Sequence, residues 1–312
     1  MKIVIVGSNG RLGTELARAY HKNYEVIGYN RSALDVENLA QLRETLHPND
    51  FRILINCAAF TNVDLCESQR KRAFIINSEV PRELAEICRA KNARLIHFST
   101  DYVFDGEKRE PYLESDPANP ISVYGESKRA GEENVLAAQG RHLVVRVSWV
   151  FGPDRPSFID GVIKRARENE HVDAIADKFA TPTYTKDIAE MLPRFFNPVA
   201  GIGDPGRAVR DRGNAGVNDS GYSDSGILHF ANTGECSWQE YAQHALDCCH
   251  KLGVPLKART VAPLKLSDMK NFIARRPIYS VLSTSKFNAL AGKSPRSWQD
   301  AVAEYVRESV HS

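Results

Sequence analysis

No apolar run in this chain approaches the roughly 20 residues that a membrane-spanning helix needs. The first apolar segment, Lys-Ile-Val-Ile-Val-Gly (2–7), is also too short for a signal-peptide core. The expectation is a cytoplasmic protein with no membrane partner. Charge of one sign is missing too. The net charge is +2, with 41 Lys and Arg against 39 Asp and Glu. Without a basic stripe, nucleic acid is excluded as a partner. The six cysteines (Cys57, Cys66, Cys88, Cys236, Cys248, Cys249) contain no Cys-x-x-Cys spacing. Cys248 and Cys249 have no histidines at a zinc-type spacing, so buried reduced thiols are expected and no metal site.

What remains is ordinary globular material, with 42% hydrophobic and 26% charged residues. Strand-like runs at 2–7, 25–29, 52–56, 94–98 and 142–147 alternate with helical patterns, clearest at 66–76 and 80–91. That alternation predicts an α/β fold, a Rossmann-type doubly wound parallel sheet. The first strand runs into Gly7-Ser8-Asn9-Gly10-Arg11-Leu12-Gly13 and then a helical pattern through Leu16, Ala17 and Tyr20. A glycine loop between strand and helix lets backbone approach a pyrophosphate and aims free N–H groups at it. The second strand ends at Asn30-Arg31-Ser32, and no carboxylate follows until Asp35, beside Val36. An arginine there suits a 2′-phosphate, which favours NADPH over NADH.

Ligands of such folds bind beyond the carboxyl ends of the strands. That rule selects Cys57, Ala58 and Ala59, whose small side chains admit a cofactor, and the strand end Ser99-Thr100-Asp101-Tyr102. Tyr124 and Lys128, four apart, share one helix face. A lysine ammonium near a phenol favours the phenolate and draws its pKa from about 10 toward the range of acid–base chemistry.

Several longer stretches resemble the dTDP-4-dehydrorhamnose reductase family of the extended short-chain dehydrogenase/reductase superfamily. They are Gly7 to Gly13, Asn-Cys-Ala-Ala-Phe-Thr-Asn-Val-Asp (56–64), Ser-Thr-Asp-Tyr-Val-Phe-Asp-Gly (99–106), Tyr-Gly-Glu-Ser-Lys (124–128), Arg-Val-Ser-Trp-Val-Phe-Gly (146–152), Thr-Pro-Thr (181–183) and Arg276-Pro277. The resemblance covers most of the chain. It implies reduction of the 4-keto group of dTDP-4-dehydro-L-rhamnose by NADPH, with NADH as a second donor. Thr100, Tyr124 and Lys128 would be the catalytic trio, and Lys128 would also bind the nicotinamide ribose. Thr61, Val63, Tyr102 and Trp149 would line the sugar pocket and Arg276 would meet the diphosphate. Asn77 matches an asparagine tied to the proton relay, and a helix-interior polar residue explains it equally well. The resemblance also admits a homodimer. It implies an NAD(P)-binding domain at 1–150 and a smaller substrate-binding domain at 151–312, parts of which return to the sheet.

Two neighbouring activities share these residues. An NAD-dependent sugar-nucleotide epimerase needs the same Tyr and Lys, and a regulatory subunit similar to that of methionine adenosyltransferase binds NADP without catalysis. Dehydration is disfavoured, because Thr100 is followed by Asp101-Tyr102 and not by two carboxylates. The chain departs from the family at Lys178, where relatives commonly carry glutamine. It departs again at 197–226, rich in Gly, Asp, Asn and Ser with no period, which is expected to be an inserted surface loop. Ser237 is expected to cap a helix that opens at Trp238.

Overall fold

The computed structural model describes residues 1–196 and 224–310. The β-branched runs become β1 (Lys2–Val6), β2 (Glu25–Tyr29), β3 (Ile53–Asn56), β4 (Arg94–Thr100) and β5 (Leu143–Val147). A sixth strand, Gly226–His229, joins the same sheet, whose order is Gly226–His229, β5, β4, β3, β1, β2. Every pairing in it is parallel. Parallel neighbours need crossover connections. These are α1 (Arg11–Tyr20) after β1 and α2 (Leu39–Leu46) after β2. Between β3 and β4 lie α3 (Val63–Ser68), α4 (Arg70–Phe74) and α5 (Val80–Ala90), and α6 (Val123–Ala137) precedes β5.

Alternate residues of each strand point to opposite faces. Ile3, Ile5, Ile53, Ile55, Ile96, Leu143 and Val145 pack on one side with Leu16 of α1 and Phe195 and Phe287. Val4, Val6, Leu54, Leu95 and Val144 pack on the other with Leu42 of α2 and Leu84 of α5. A third cluster lies among the helices Phe158–Glu168, Trp238–Lys251 and Trp298–Val310, around Phe151, Tyr184 and Tyr241. As expected, Ser237 caps the second of these: its Oγ accepts from Glu240 N at 3.1 Å, and the Glu240 carboxylate accepts from Ser237 N at 2.7 Å.

Strand order reverses at β1, with β2 on one side and β3 on the other. A crevice opens at such a switch point, beyond the strands' carboxyl ends. The glycine loop leaves β1 there and Cys57-Ala58-Ala59 leaves β3.

The structure differs from the sequence expectation in three places. The helix expected at 66–76 is broken at Gln69 (φ −120°, ψ 45°), and α4 runs into a π-turn at Ile75–Glu79. That wider turn holds Asn77, fully buried, against α6. The fourth strand extends to Thr100. Of the loop expected at 197–226, residues 197–223 lie outside the described residues, but its end belongs to the fold. Asp224 is buried and pairs with Arg94 at 3.3 Å and Arg141 at 3.2 Å, and Gly226 opens the edge strand. A carboxylate that neutralises a buried guanidinium is fixed in place whatever the composition around it.

Helix α6 is tied to the sheet by charge and by close approach. Arg146 of β5 donates to both oxygens of Glu132 at 2.9 and 2.6 Å, with both side chains 3% exposed. At Gly131 a Cβ would collide with the Asn77 carbonyl oxygen. Removing one partner of a buried pair strands the other charge. Glu132→Ala is therefore expected to destabilise the fold by about 3–5 kcal/mol, read as a lower urea midpoint. A midpoint equal to that of the parent protein would contradict this account of α6.

Candidate active site

The switch-point crevice is a cleft of about 230 Å³. Of the residues expected to bind cofactor, Gly7, Asn9, Gly10, Asn30, Arg31, Asp35, Val36, Cys57, Ala58 and Ala59 line it. Gly7 adopts φ +82°, and a Cβ there would come within 2.7 Å of Ala58 N. Only glycine lets the two strand ends approach so closely. Helix α1 begins at Gly10, which offers no side-chain cap. The N–H groups of its first turn lack helical partners and lie at the positive end of the helix dipole. A glycine cradle with free N–H groups at a switch point fits the pyrophosphate of a dinucleotide.

Other expected cofactor residues serve the loop from outside the cleft lining. Arg11 donates to the carbonyls of Val150 at 3.0 Å and Pro156 at 2.6 Å, which ties the loop to the chain after β5. Ser32 donates to Asn30 Oδ1 at 2.7 Å. Ser8 lies against Gly28, Gly13 is buried in α1, and Leu12 packs on the core. The cleft also includes Tyr29, Glu37, Phe60 and Arg72, which sequence reasoning missed. Arg72 forks onto Glu37 at 2.8–3.1 Å, and Arg31 stands 3.7 Å from the same carboxylate. The cleft end beside β2 thus carries two guanidinium groups and an acid. The acid and one arginine fall beyond the window in which the motif is read.

Thr100, Tyr124 and Lys128 come together, from the end of β4 and one face of α6. Ser122 starts that helix, its Oγ accepting from Gly125 N at 3.2 Å. The Tyr124 phenol is buried, and this raises its pKa well above the ordinary value. The neighbouring Thr100 hydroxyl opposes the shift, and the Asp101 charge adds to it. Lys128 Nζ donates to the Phe98 carbonyl at 2.6 Å and lies 3.3 Å from His97 Nε2. Burial lowers its pKa to about 8, against the opposing charge of Glu132. Lys128 is therefore not what sets the phenol's pKa in this arrangement. A buried ammonium takes the nearest strong acceptor, here the backbone of β4. His97 in turn meets Asn56 Nδ2 at 3.1 Å, and burial first and the Lys128 charge second keep it neutral. Asn77 spans the site: Oδ1 accepts from Phe60 N at 2.8 Å and Nδ2 donates to Ser127 Oγ at 3.0 Å.

On the other side of Tyr124, the Tyr102 ring meets it edge-on at 5.6 Å. Val63 and Phe60 pack against the cluster that holds both rings, while Thr61 is exposed nearby in sequence. Asp101, which the sequence placed at the strand end without a role, organises the floor. Its Oδ1 accepts from Thr100 at 3.0 Å, and its Oδ2 from Ser148 at 3.0 Å and Ser280 at 2.6 Å. The buried Lys178 stands between Tyr102 and Trp149, whose φ is +41°. Arg276 is held by Asp64 at 2.6 and 3.2 Å, and Asp64 also accepts from Ile273 N and Ala274 N. Its guanidinium is thus already shared with a carboxylate. All six cysteines are free, and Cys57 alone is not fully buried.

This geometry has counterparts. The RmlD substrate binding domain pattern matches residues 1–202 and 209–311. The spore coat polysaccharide biosynthesis protein SpsK of Bacillus subtilis is 31% identical over 98% of this chain and 97% of its own. A dTDP-4-dehydrorhamnose reductase of Burkholderia thailandensis is 32% identical over 99% of both chains. Among solved structures, a dTDP-4-dehydrorhamnose reductase from Bacillus anthracis in complex with NADP superposes with a TM-score of 0.84. It is 28% identical and is matched over 98% of this chain and 99% of its own. With its length matched almost throughout, the chain belongs to the RmlD substrate binding domain family.

Proposed function

We propose that the protein is an NADPH-dependent reductase of a nucleotide-linked 4-keto sugar, converting dTDP-4-dehydro-L-rhamnose to dTDP-L-rhamnose, with NADH as a second donor. One observation carries the reading: Thr100, Tyr124 and Lys128 converge beside a cleft that fits a dinucleotide. Its similarity to reductases of that name, and to one solved with NADP, supports the same choice.

The cleft residues would hold NADPH, which when bound would supply the hydride for the sugar's C4. The chain supplies the proton and the geometry. Tyr124 donates from its hydroxyl to the keto oxygen, and its raised pKa keeps it protonated at neutral pH, as reduction requires. Thr100, beside it, turns its hydroxyl from Asp101 to the same oxygen and polarises the carbonyl. Lys128, anchored on Phe98 O, turns its remaining donors to the ribose hydroxyls and fixes the reacting faces. Arg31 and Arg72 meet the 2′-phosphate of NADPH, and Glu37 suits the free hydroxyl of NADH. Val63, Thr61, Tyr102 and Trp149 bound the sugar, and Arg276 shares its charge between Asp64 and the diphosphate. In the same proposal residues 151–312 form the substrate-binding part, with segments such as Gly226–His229 returning to the sheet, and the enzyme is a cytoplasmic homodimer.

Tyr124→Phe is expected to lower kcat for keto-sugar reduction by about 10²–10⁴-fold while NADPH binding stays as in the parent. Full activity in that variant would remove Tyr124 as proton donor. Removing Arg31 and Arg72 together is expected to weaken NADPH by about 10–100-fold and leave NADH nearly unchanged. An equal loss for both cofactors would place the phosphate elsewhere. Lys128 carries its full charge well below its pKa of about 8 and loses it as pH rises through that value. Reductive kcat/KM should therefore be level near neutrality and fall above about pH 8. A profile level to about pH 10, where the free side chain titrates, would deny Lys128 its role.

A further inference from the structure

Lys178 is fully buried, and its ammonium has no hydrogen-bond acceptor among the described residues. Its Nζ lies 5.3 Å from the centre of the Tyr102 ring and 5.4 Å from that of Trp149. The carboxylate whose charge acts on it, Asp101, spends its oxygens on Thr100, Ser148 and Ser280. The two ring faces attract the ammonium, but a buried cation without a hydrogen-bond acceptor is still costly to a fold. A second donor nearby is in the same condition. Trp149 Nε1 is buried with no acceptor among the described residues, on a residue held at a left-handed φ of +41°. Strained backbone and unmet donors of one sense, side by side, mark a place where the missing acceptor comes from outside the chain. Tyr102, against which Lys178 rests, is the ring that meets Tyr124.

We propose that Lys178 is a specificity-determining residue of the sugar pocket, donating with Trp149 Nε1 to a non-reacting hydroxyl oxygen of the substrate's sugar ring. The inference rests on the reductase reading and adds the residue that selects the sugar. Aromatic faces on two sides suit a ring that is polar but uncharged. A diphosphate there would leave its other oxygens against apolar surface. Burial lowers the Lys178 pKa to about 8, so the group remains mostly charged at neutral pH and makes a charge-assisted bond.

The test is calorimetric titration of dTDP-L-rhamnose, and separately of dTDP, into the NADP-loaded protein and its Lys178→Met and Lys178→Gln variants. Methionine keeps the length and removes the buried charge, so folding, checked by thermal melting, should hold. Lys178→Met is expected to weaken dTDP-L-rhamnose by about 10–100-fold and leave dTDP unchanged, and Lys178→Gln to recover part of the loss. Unchanged affinity for the sugar nucleotide in Lys178→Met would overturn the proposal, as would an equal loss for dTDP, which would point to the diphosphate. Oxidation of NADPH by the parent protein with dTDP-4-dehydro-L-rhamnose reports on the reductase reading by itself. Failure there with binding as expected would separate the two claims.

Discussion

The docking of α6 on the sheet is the constraint on which the site depends. Tyr124 and Lys128 owe their mutual position to helix geometry alone, but their position relative to Thr100 is a tertiary matter. Two contacts set it. The buried pair between Arg146 and Glu132 fixes α6 along β5, and the side-chain-free surface at Gly131 lets the helix press on the π-turn at Asn77. A Phe104 ring lies under the guanidinium at 5.0 Å, and His229 Nε2 stands 3.3 Å from it. The pair is enclosed on several sides, and its weakness against solvent competition, usual for surface pairs, does not apply.

Around that joint the electrostatics divide into two halves. Toward the cleft, Lys128 is drawn to the carbonyl of Phe98 and a neutral His97, which leaves its charge near the cofactor end. Toward the sugar, Asp101 gathers three hydroxyls and leaves Lys178 and Trp149 as donors without acceptors among the described residues. Tyr124 stands between a side whose lysine has a backbone acceptor and a side whose lysine has none there. Polar satisfaction is incomplete where a substrate would complete it.

Much of the sheet was legible because parallel strands buried on both faces are written as short β-branched runs. Lys2–Val6 and Leu143–Val147 lie almost where periodicity puts them. The crevice was legible for a different reason: a positive φ and a backbone approach demand glycine, and Gly7 announces both. Long-range partners were not legible. Arg72 reaches the cleft from 35 residues beyond Glu37, and Ser280 reaches Asp101 across 179 residues. The break at Gln69 was hidden because apolar spacing over 66–76 is unaltered by a one-residue kink. The reach of Lys128 toward β4 was hidden too, since spacing along a helix says which side chains are neighbours but not where a flexible stem ends.

The contact at Gly131 has a genetic reading. No side chain can be added there without pushing α6 away from Asn77, and with it the phenol and the ammonium that α6 carries. A search for inactive alleles would therefore return position 131 beside the residues that touch substrate, although it touches none. Its damage would travel through the frame of the helix, and an isosteric change at Tyr124 would leave that frame intact.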